Sequence, residues 1–206
     1  MYRIIKRLLD IVLTSMLLVF ISPVLIVLAI IVEIKMGHPF YFTQIRTTKG
    51  ERHFKLIKFR SMTNAKDSEG NLLPDDQRRT KFGNMLRATS LDELPELLNI
   101  IKGDMSIIGP RPLVVKYTGY YKKDEKPRFN VRGGLIPPEV IHGYDPSWDN
   151  QLKWDAEYAQ NCSFVTDVRI LLAVFVTLFR RNKEHFGAVT RKSLTEERAY
   201  MSNRHE

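Results

Sequence analysis

Two adjacent carboxylates, Asp92 and Glu93, stand at the start of a segment whose apolar residues recur with helical spacing over positions 94–101. Unpaired N–H groups and the positive end of the helix dipole favour negative charge there, so both carboxylates should stay ionised. An ionised aspartate is a competent nucleophile at phosphorus, and two carboxylates can share Mg²⁺ with substrate phosphates. The alternative is that Asp92 and Glu93 only cap the helix, which is the commoner role of acidic residues in a first turn.

Two signals place the start of this helix differently. Ser90 and Glu93 have the spacing of a capping box, whereas Pro95 suits a first turn, where a missing N–H costs little. We therefore place the start within positions 90–95 and leave the first residue open. Gly103 is expected to end the helix.

Four cations could serve the same site: Lys58, Arg60, Arg87 and Arg111. Arg111 stands between Pro110 and Pro112, which restrict the backbone and hold the guanidinium where a phosphate or a base can meet it. Taken singly, each cation is more often a solvated surface charge. Taken together beside a membrane segment, they predict a pocket for a pyrophosphate.

The membrane segment is an uncharged, mostly apolar run over positions 11–32, interrupted by Ser22 and Pro23. Its length suits a helix across the roughly 30 Å hydrocarbon core, but Pro23 lacks an N–H and clashes with the carbonyl four residues back. Ser22 can offer its hydroxyl to the freed backbone group. Both flanks are basic, whereas lysine and arginine usually mark one side, the cytoplasmic one. The sequence therefore favours neither a helix–break–helix that returns to the same membrane face nor a kinked transmembrane anchor over the other.

Composition narrows the partners. The 206 residues suffice for one domain plus this membrane element. The net charge of +9 favours anionic lipid and polyanionic substrates such as nucleotides and pyrophosphates. No basic helix or aromatic-basic interleaving supports a nucleic-acid partner. Cys162 is the single cysteine, which excludes an internal disulfide and a cysteine metal cluster.

Other segments give weaker signals. The pattern predicts strands over 40–45 and 54–59, joined as a hairpin through 47–52, and then a polar surface loop over 63–81 and a short helix over 80–87. Residues 170–179 are too short to span a bilayer. They form either an interfacial helix, with Arg180 and Arg181 toward lipid phosphates, or a buried core helix. The polar tail after Arg181 is expected to be loosely held.

Several long motifs follow one another along the chain. They are Lys6-Arg7-x-x-Asp10, the Ser22-Pro23 break, Phe42-x-Gln44-x-Arg46, Lys58-Phe59-Arg60-Ser61-Met62, Ser90-Leu91-Asp92-Glu93-Leu94-Pro95 and Gly103-Asp104-Met105-Ser106-x-x-Gly109-Pro110-Arg111-Pro112. In this order they resemble the motifs of bacterial sugar transferases, the monotopic phosphoglycosyl transferases that begin polysaccharide and glycoconjugate assembly. The match covers positions 3–112 and returns weakly over 154–171. Because several long motifs occur in the same order, the resemblance is specific. A single Asp-Glu pair would not make it so.

The resemblance implies a UDP-sugar donor and a polyprenol phosphate acceptor, such as undecaprenyl phosphate, in exopolysaccharide or O-antigen assembly. Asp92 would attack the phosphate attached to the sugar, release UMP and form a covalent phosphosugar intermediate that the acceptor captures. Asp92 would bind Mg²⁺ and Glu93 would assist metal or phosphate placement. The donor would contact the residues Lys58, Arg60, Arg87, Pro110, Arg111 and Pro112. A re-entrant helix would put the catalytic domain on the cytoplasmic face of the bacterial inner membrane, which tips the balance left open above.

One region departs from the family pattern. The family usually carries Arg-x-Pro-Gly-(Ile/Leu)-Thr-Gly after the Pro-Arg-Pro motif, whereas this chain reads Val131-Arg132-Gly133-Gly134-Leu135-Ile136-Pro137-Pro138-Glu139. Positions 142–149 are also unlike the family. The change would reshape the sugar or nucleotide pocket, and we assign only Arg132 there, as a phosphate contact.

We therefore predict a mainly α fold with a small β-hairpin. Its parts are a re-entrant membrane helix hairpin over 1–36, a catalytic domain with interfacial helices over 37–181 and a polar tail over 182–206. The predicted partners are the UDP-sugar, polyprenol phosphate and bilayer lipids, without nucleic acid. A homodimer is left open, although no heptad pattern indicates a coiled coil. The alternative function is a non-catalytic membrane adaptor of a glycan-assembly complex, which the intact carboxylates and cations disfavour.

Overall fold

A computed structural model describes residues 2–143, 147–180 and 193–202. The chain divides into two compact units. The first comprises Met1–Asp10, Ile45–Phe54 and Gly103–Glu206, and the second comprises Ile11–Gln44 and Lys55–Lys102. Helices dominate and the sheets are small, as predicted. Predictions for the side chains of Arg180 and Arg181, for 144–146, and for the parts 182–192 and 203–206 of the tail lie outside the described residues.

Helix α1, Tyr2–Met36, contains the whole apolar run and continues through Pro23. The proline leaves the carbonyl of Val19 without its usual donor, and the Ser22 hydroxyl donates to that carbonyl over 2.8 Å, as predicted. Helix α1 is continuous and shows no break at Pro23. The re-entrant path of this helix through a membrane therefore stays a prediction. Among the described helices, α1 alone is long and apolar enough to cross a membrane.

In the second unit, most elements follow the sequence pattern. Strands β1 (Tyr41–Thr47) and β2 (His53–Phe59) pair in a two-stranded sheet, which confirms the predicted hairpin. The end of β1 and the start of β2 belong to the first unit. The polar loop contains one short helix, α2 (Asp75–Arg78). Helix α3 (Lys81–Ala88) confirms the next predicted helix. The core is built from α1, β2 and α3, and it contains Val32, Met36, Phe59 and Leu86.

Gly83 fixes how α3 approaches the end of β2. Its N–H donates to the hydroxyl of the N-cap residue Thr80 over 3.0 Å. An added Cβ at Gly83 would lie 2.0 Å from the carbonyl oxygen of Ser61, so a larger residue would push the helix away. This close approach matters because Ser61 and α3 both contribute to the candidate site.

The helix that follows Asp92 and Glu93 begins later than the capping box indicates. Ser90 has a φ of +56° and makes no side-chain capping hydrogen bond. A 3-10 turn over Leu91–Glu93 follows, and helix α4 runs over Glu96–Lys102, directly after Pro95. Helix α4 thus begins one residue after the predicted range of 90–95. The capping-box signal is wrong, and the proline signal is the closer of the two. Gly103, at a φ of +91°, ends α4 as predicted.

In the first unit, a parallel strand pair joins the family motif to the segment that departs from it. Strand β3 (Met105–Ile108) pairs with β4 (Gly133–Ile136), which the sequence pattern did not predict. An added Cβ at Gly134 would lie 2.0 Å from the amide nitrogen of Gly109. Glycine at position 134 thus allows the two backbones to approach closely.

Three helices complete the described part of the first unit: α5 (Trp148–Asn161), α6 (Phe164–Arg180) and α7 (Leu194–Ser202). On α6, Ile170 is fully buried whereas Leu172 and Phe175 are about 60% exposed. The prediction that residues 170–179 form a buried core helix is therefore wrong. Contact of α6 with a bilayer stays a prediction. Leu194 of α7 is fully buried, so this part of the tail is docked and not loosely held.

Candidate active site

The second unit brings Asp92 and Glu93 to a lysine of β2. The Lys58 ammonium lies 2.7 Å from a carboxylate oxygen of Glu93 and 3.1 Å from one of Glu96. Asp92 is 8% exposed and Glu96 is 4% exposed. One cation thus serves two carboxylates while a third, on Asp92, lies beside them.

The environment of Asp92 opposes its ionisation more than the sequence suggested. Burial raises the pKa of Asp92, and the charge of Glu93 raises it further, whereas Lys58 and Arg87 lower it. The expected help from a helix dipole is small, because the residue lies in a 3-10 turn before a helix of seven residues. Lys58 and Arg87 are therefore the groups that favour the charged, nucleophilic form.

Arg87 is held in place by a second side chain of the same unit. Its Nε donates to the Ser61 hydroxyl over 2.8 Å, and Ser61 is 9% exposed. Ser61 belongs to the Lys58-to-Met62 motif, so that motif supplies both a cation and the hydroxyl that positions another. Arg60, between them, instead donates to the carbonyls of Gly37 and His38 over 3.3 and 3.0 Å. These bonds tie Arg60 to the turn after α1, and its contact with phosphate stays a prediction.

Asn99 supports this site and was missed in the sequence. It is 1% exposed, its side-chain oxygen accepts from the N–H of Ile57 over 3.1 Å, and its amide donates to the carbonyl of Lys55 over 2.8 Å. The side chain thus bonds to one donor and one acceptor on the same edge of β2 and joins α4 to the strand that carries Lys58. Asn99 does not lie on the helix face formed by the apolar positions 94, 97, 98 and 101, so the sequence pattern gave no signal for its burial. Glu96, also missed, lies one helical turn after Glu93.

The Pro110–Pro112 segment and Arg132 belong to the first unit. The Arg111 carbonyl accepts a hydrogen bond from Arg128 over 2.7 Å. Arg132 donates through Nε to the carbonyl of Gly103 over 2.9 Å. It lines a small cavity together with Arg3, Lys6, Arg7 and Lys49, the acidic Asp10 and four uncharged residues. Their roles toward phosphate stay predictions.

The donor groups suit Mg²⁺ bound through few protein ligands. Among the described residues, no group of three or more His, Cys, Asp or Glu side chains forms a metal cluster. Mg²⁺ needs none, because it is usually bound by one or two carboxylates together with substrate phosphates and water. The raised pKa of Asp92 indicates that its negative charge is under-compensated, and a divalent cation would compensate it.

Comparison with known proteins agrees with these features. The family model for bacterial sugar transferases matches residues 1–181. An uncharacterized sugar transferase, EpsL, of Bacillus subtilis (strain 168) is 39% identical over 194 residues, which cover 93% of this chain and 96% of the relative.

Two further relatives carry names that state a reaction. The UDP-glucose:undecaprenyl-phosphate glucose-1-phosphate transferase of Escherichia coli (strain K12) is 35% identical over 86% of this chain and 40% of that protein. The UDP-N-acetylgalactosamine-undecaprenyl-phosphate N-acetylgalactosaminephosphotransferase of Aeromonas hydrophila is 33% identical over 86% of this chain and 44% of that protein. This chain spans less than half the length of these two relatives.

The matches confirm the family and the class of enzyme that the motifs predicted. The family model covers the carboxylates, the cations and α1 together. With that match, and with EpsL related along nearly its whole length, the chain belongs to the bacterial sugar transferase family.

Proposed function

We propose that this enzyme transfers a sugar 1-phosphate from a UDP-sugar to undecaprenyl phosphate and releases UMP. The observation that carries the proposal is the buried Asp92 carboxylate, whose charge is supported by Lys58 and Arg87 beside Glu93. Phosphoryl transfer depends mostly on positioning and charge stabilisation, and these residues supply both. The donor and the acceptor follow from the names of the relatives in Escherichia coli and Aeromonas hydrophila.

In the first step, a carboxylate oxygen of Asp92 attacks the phosphorus attached to the sugar. A phosphorus–oxygen bond to Asp92 forms, the bond to the UMP oxygen breaks, and UMP leaves. In the second step, a phosphate oxygen of the acceptor attacks the same phosphorus, and Asp92 leaves as a carboxylate. Asp92 must be ionised at the start of each cycle, which is the state that Lys58 and Arg87 favour.

Lys58, Glu93 and Arg87 prepare the site in different ways. Lys58 is held by two carboxylates. Its positive charge lowers the pKa of Asp92 and so opposes the effect of Glu93. Arg87, oriented by Ser61, is available to phosphate oxygens. Asp92 together with the substrate phosphates would hold Mg²⁺, which would neutralise the diphosphate of the donor.

The acceptor chain has an apolar groove within the second unit. A cavity of about 420 Å³ is lined by Leu18, Leu25, Ala29, Phe59, Pro95 and Leu98, among other mostly apolar residues. Pro95 and Leu98 follow the Asp92–Glu93 pair in the chain, and the first three residues belong to α1. An isoprenoid chain in this groove would lead from the membrane helix to the carboxylates, which brings the acceptor phosphate to the nucleophile.

We further propose that α1 is re-entrant and that the catalytic part faces the cytoplasm at the bacterial inner membrane. The basic flanks on both sides and the proline with its compensating serine support this topology. The exposed apolar face of α6 would rest on the same membrane surface. Thiol labelling of single cysteines at positions 3 and 123, in a Cys162→Ser background, tests it. Both positions labelled from one side support re-entry, and labelling from opposite sides indicates a spanning helix.

The reaction is tested by UMP release from a panel of UDP-sugars, with nanodisc-held protein, undecaprenyl phosphate and Mg²⁺. Wild type and Cys162→Ala should release UMP from at least one donor, and Asp92→Asn should not. Exchange of labelled UMP into the UDP-sugar without acceptor would support the covalent intermediate. No release from any donor by folded protein would contradict the proposal and favour the adaptor alternative.

A further inference from the structure

Arg198, on helix α7, joins the C-terminal part of the first unit to the interior of that unit. Its guanidinium binds both carboxylate oxygens of Glu125, one of them over 2.8 Å, and donates to the carbonyl of Tyr120. It also donates to Asp149 over 3.1 Å. The side chains of Arg198 and Glu125 are 11% and 5% exposed. The pair is therefore little screened by salt, and breaking it leaves a buried charge uncompensated.

Glu125 in turn fixes the start of a tight turn. Its carboxylate accepts from the N–H of Lys122 over 2.8 Å, and its carbonyl accepts from the N–H of Arg128 over 3.2 Å. Arg128 lies in the 3-10 turn Lys126–Asn130 that follows. The position of Arg128 thus depends on the residue that Arg198 holds.

Arg128 ends this network on the predicted donor-binding segment. It is 3% exposed and donates to the carbonyl of Arg111 over 2.7 Å. It also lies 2.9 Å from a carboxylate oxygen of Asp155 and donates to the Tyr121 hydroxyl over 3.2 Å. A buried guanidinium with these partners has little freedom, so a shift of its turn would move the Arg111 backbone.

An apolar connection ends at the same place. Leu194, at the start of α7, is fully buried in a cluster with Leu113, Tyr117, Tyr121, Phe129, Trp148 and Leu152. Leu113 directly follows Pro112, and Phe129 directly follows Arg128. Polar and apolar contacts of one helix therefore both lead to the backbone around Arg111.

We propose that α7 positions the Pro110–Pro112 segment for donor binding, with Arg198 as its positioning residue. The proposal rests on the proposed function, because it takes Arg111 as a contact of the UDP-sugar. Helix α7 lies beyond residues 1–181, the part that the family model matches. Arg198 acts on Arg111 through Glu125 and Arg128, so it should govern binding of the donor and leave the chemistry at Asp92 intact.

The test compares Arg198→Gln with Lys153→Gln in the full chain held in nanodiscs. Lys153 is 69% exposed and makes a 3.9 Å surface pair, so its change should leave all readouts near wild type. Arg198→Gln should speed amide hydrogen exchange at Thr47 and Gly134, whose N–H groups donate to the carbonyls of Leu113 and Pro110 over 3.0 and 2.9 Å, by about tenfold, equal to about 1.4 kcal/mol. It should also raise KM for the UDP-sugar by about tenfold while kcat stays within about twofold. Arg198→Lys, which keeps the charge, should recover part of both effects.

The hydrogen-exchange readout needs no turnover, so it separates this inference from the proposed reaction. Faster exchange at Thr47 and Gly134 supports the positioning role even in a preparation without detectable transferase activity. If the faster exchange of Arg198→Gln and Arg198→Lys is confined to 193–202, the inference is overturned. A fall in kcat at unchanged KM would overturn it as well, because that pattern points to the chemical step.

Discussion

Lys58 donates a hydrogen bond to Glu93 over 2.7 Å, so the neighbour of the proposed nucleophile is itself bound to a cation of β2. The same ammonium lies 3.1 Å from the buried carboxylate of Glu96. Lys58 therefore pairs with two carboxylates and also lowers the pKa of Asp92, which burial and the charge of Glu93 raise. Lys58, from the Lys58-to-Met62 motif, thus influences the protonation of Asp92, which belongs to the Ser90-to-Pro95 motif.

Replacing Lys58 should change the pH dependence of the reaction. Burial raises the pKa of Asp92 and Lys58 lowers it, so in Lys58→Met the pKa of Asp92 rises further. The acidic limb of kcat/KM should move to higher pH, and UMP release at neutral pH should fall by at least about tenfold. A loss of about 3 kcal/mol in unfolding free energy should accompany it, since Glu93 and Glu96 lose the cation that they share. Arg52→Met, which breaks an exposed pair with Asp104, is the control. An unmoved acidic limb would contradict this role of Lys58.

Asp92→Asn should inactivate the enzyme and stabilise the fold at neutral pH. The pKa of Asp92 is raised above its ordinary value, so the folded state binds this proton more tightly than the unfolded state does. Stability from this group is present at low pH and is lost as the pH rises through the folded pKa. The neutral amide avoids that loss, so Tm of Asp92→Asn should exceed that of wild type at pH 7, and the difference should vanish near pH 3. A lower Tm at pH 7 would show that the cations outweigh burial.

The sequence predicted the family and the class of enzyme better than it predicted the contacts around Asp92. Local patterns were enough for the apolar helix and the hairpin strands. Of the four cations that the sequence grouped with Asp92 and Glu93, the structure brings Lys58 and Arg87 to them. Glu96 and Asn99 were missed because their roles arise only when α4 packs on β2, far away in the chain. The parallel pair of β3 and β4 was missed for the same reason. The capping box at Ser90 was wrong because a left-handed residue and a 3-10 turn precede α4 there.

Asp10 should stabilise the first unit without entering the reaction. It is 4% exposed and accepts from the Ser106 hydroxyl over 2.7 Å and from the N–H of Ile107 over 3.1 Å. Asp10→Ala leaves both donors unsatisfied and should cost about 2 kcal/mol. Ser106→Ala should cost about half of that, and the double variant should be less destabilised than the sum, because both changes remove one interaction. Urea unfolding monitored by tryptophan fluorescence measures these values, and strictly additive losses would contradict the shared interaction.

Leu98 tests the apolar groove for the acceptor. It lines the groove and is 41% exposed, so Leu98→Gln should fold with little loss of stability while making the groove polar. KM for undecaprenyl phosphate should rise by about tenfold, because a buried isoprenoid unit then meets an amide. Exchange of labelled UMP into the UDP-sugar, which needs no acceptor, should stay near wild type. Leu72→Gln is the matched control, since Leu72 is 53% exposed and lies outside the groove lining. An equal loss of UMP exchange and acceptor turnover in Leu98→Gln would instead indicate damage to Asp92 and its neighbours, and the isoprenoid chain would have to bind elsewhere.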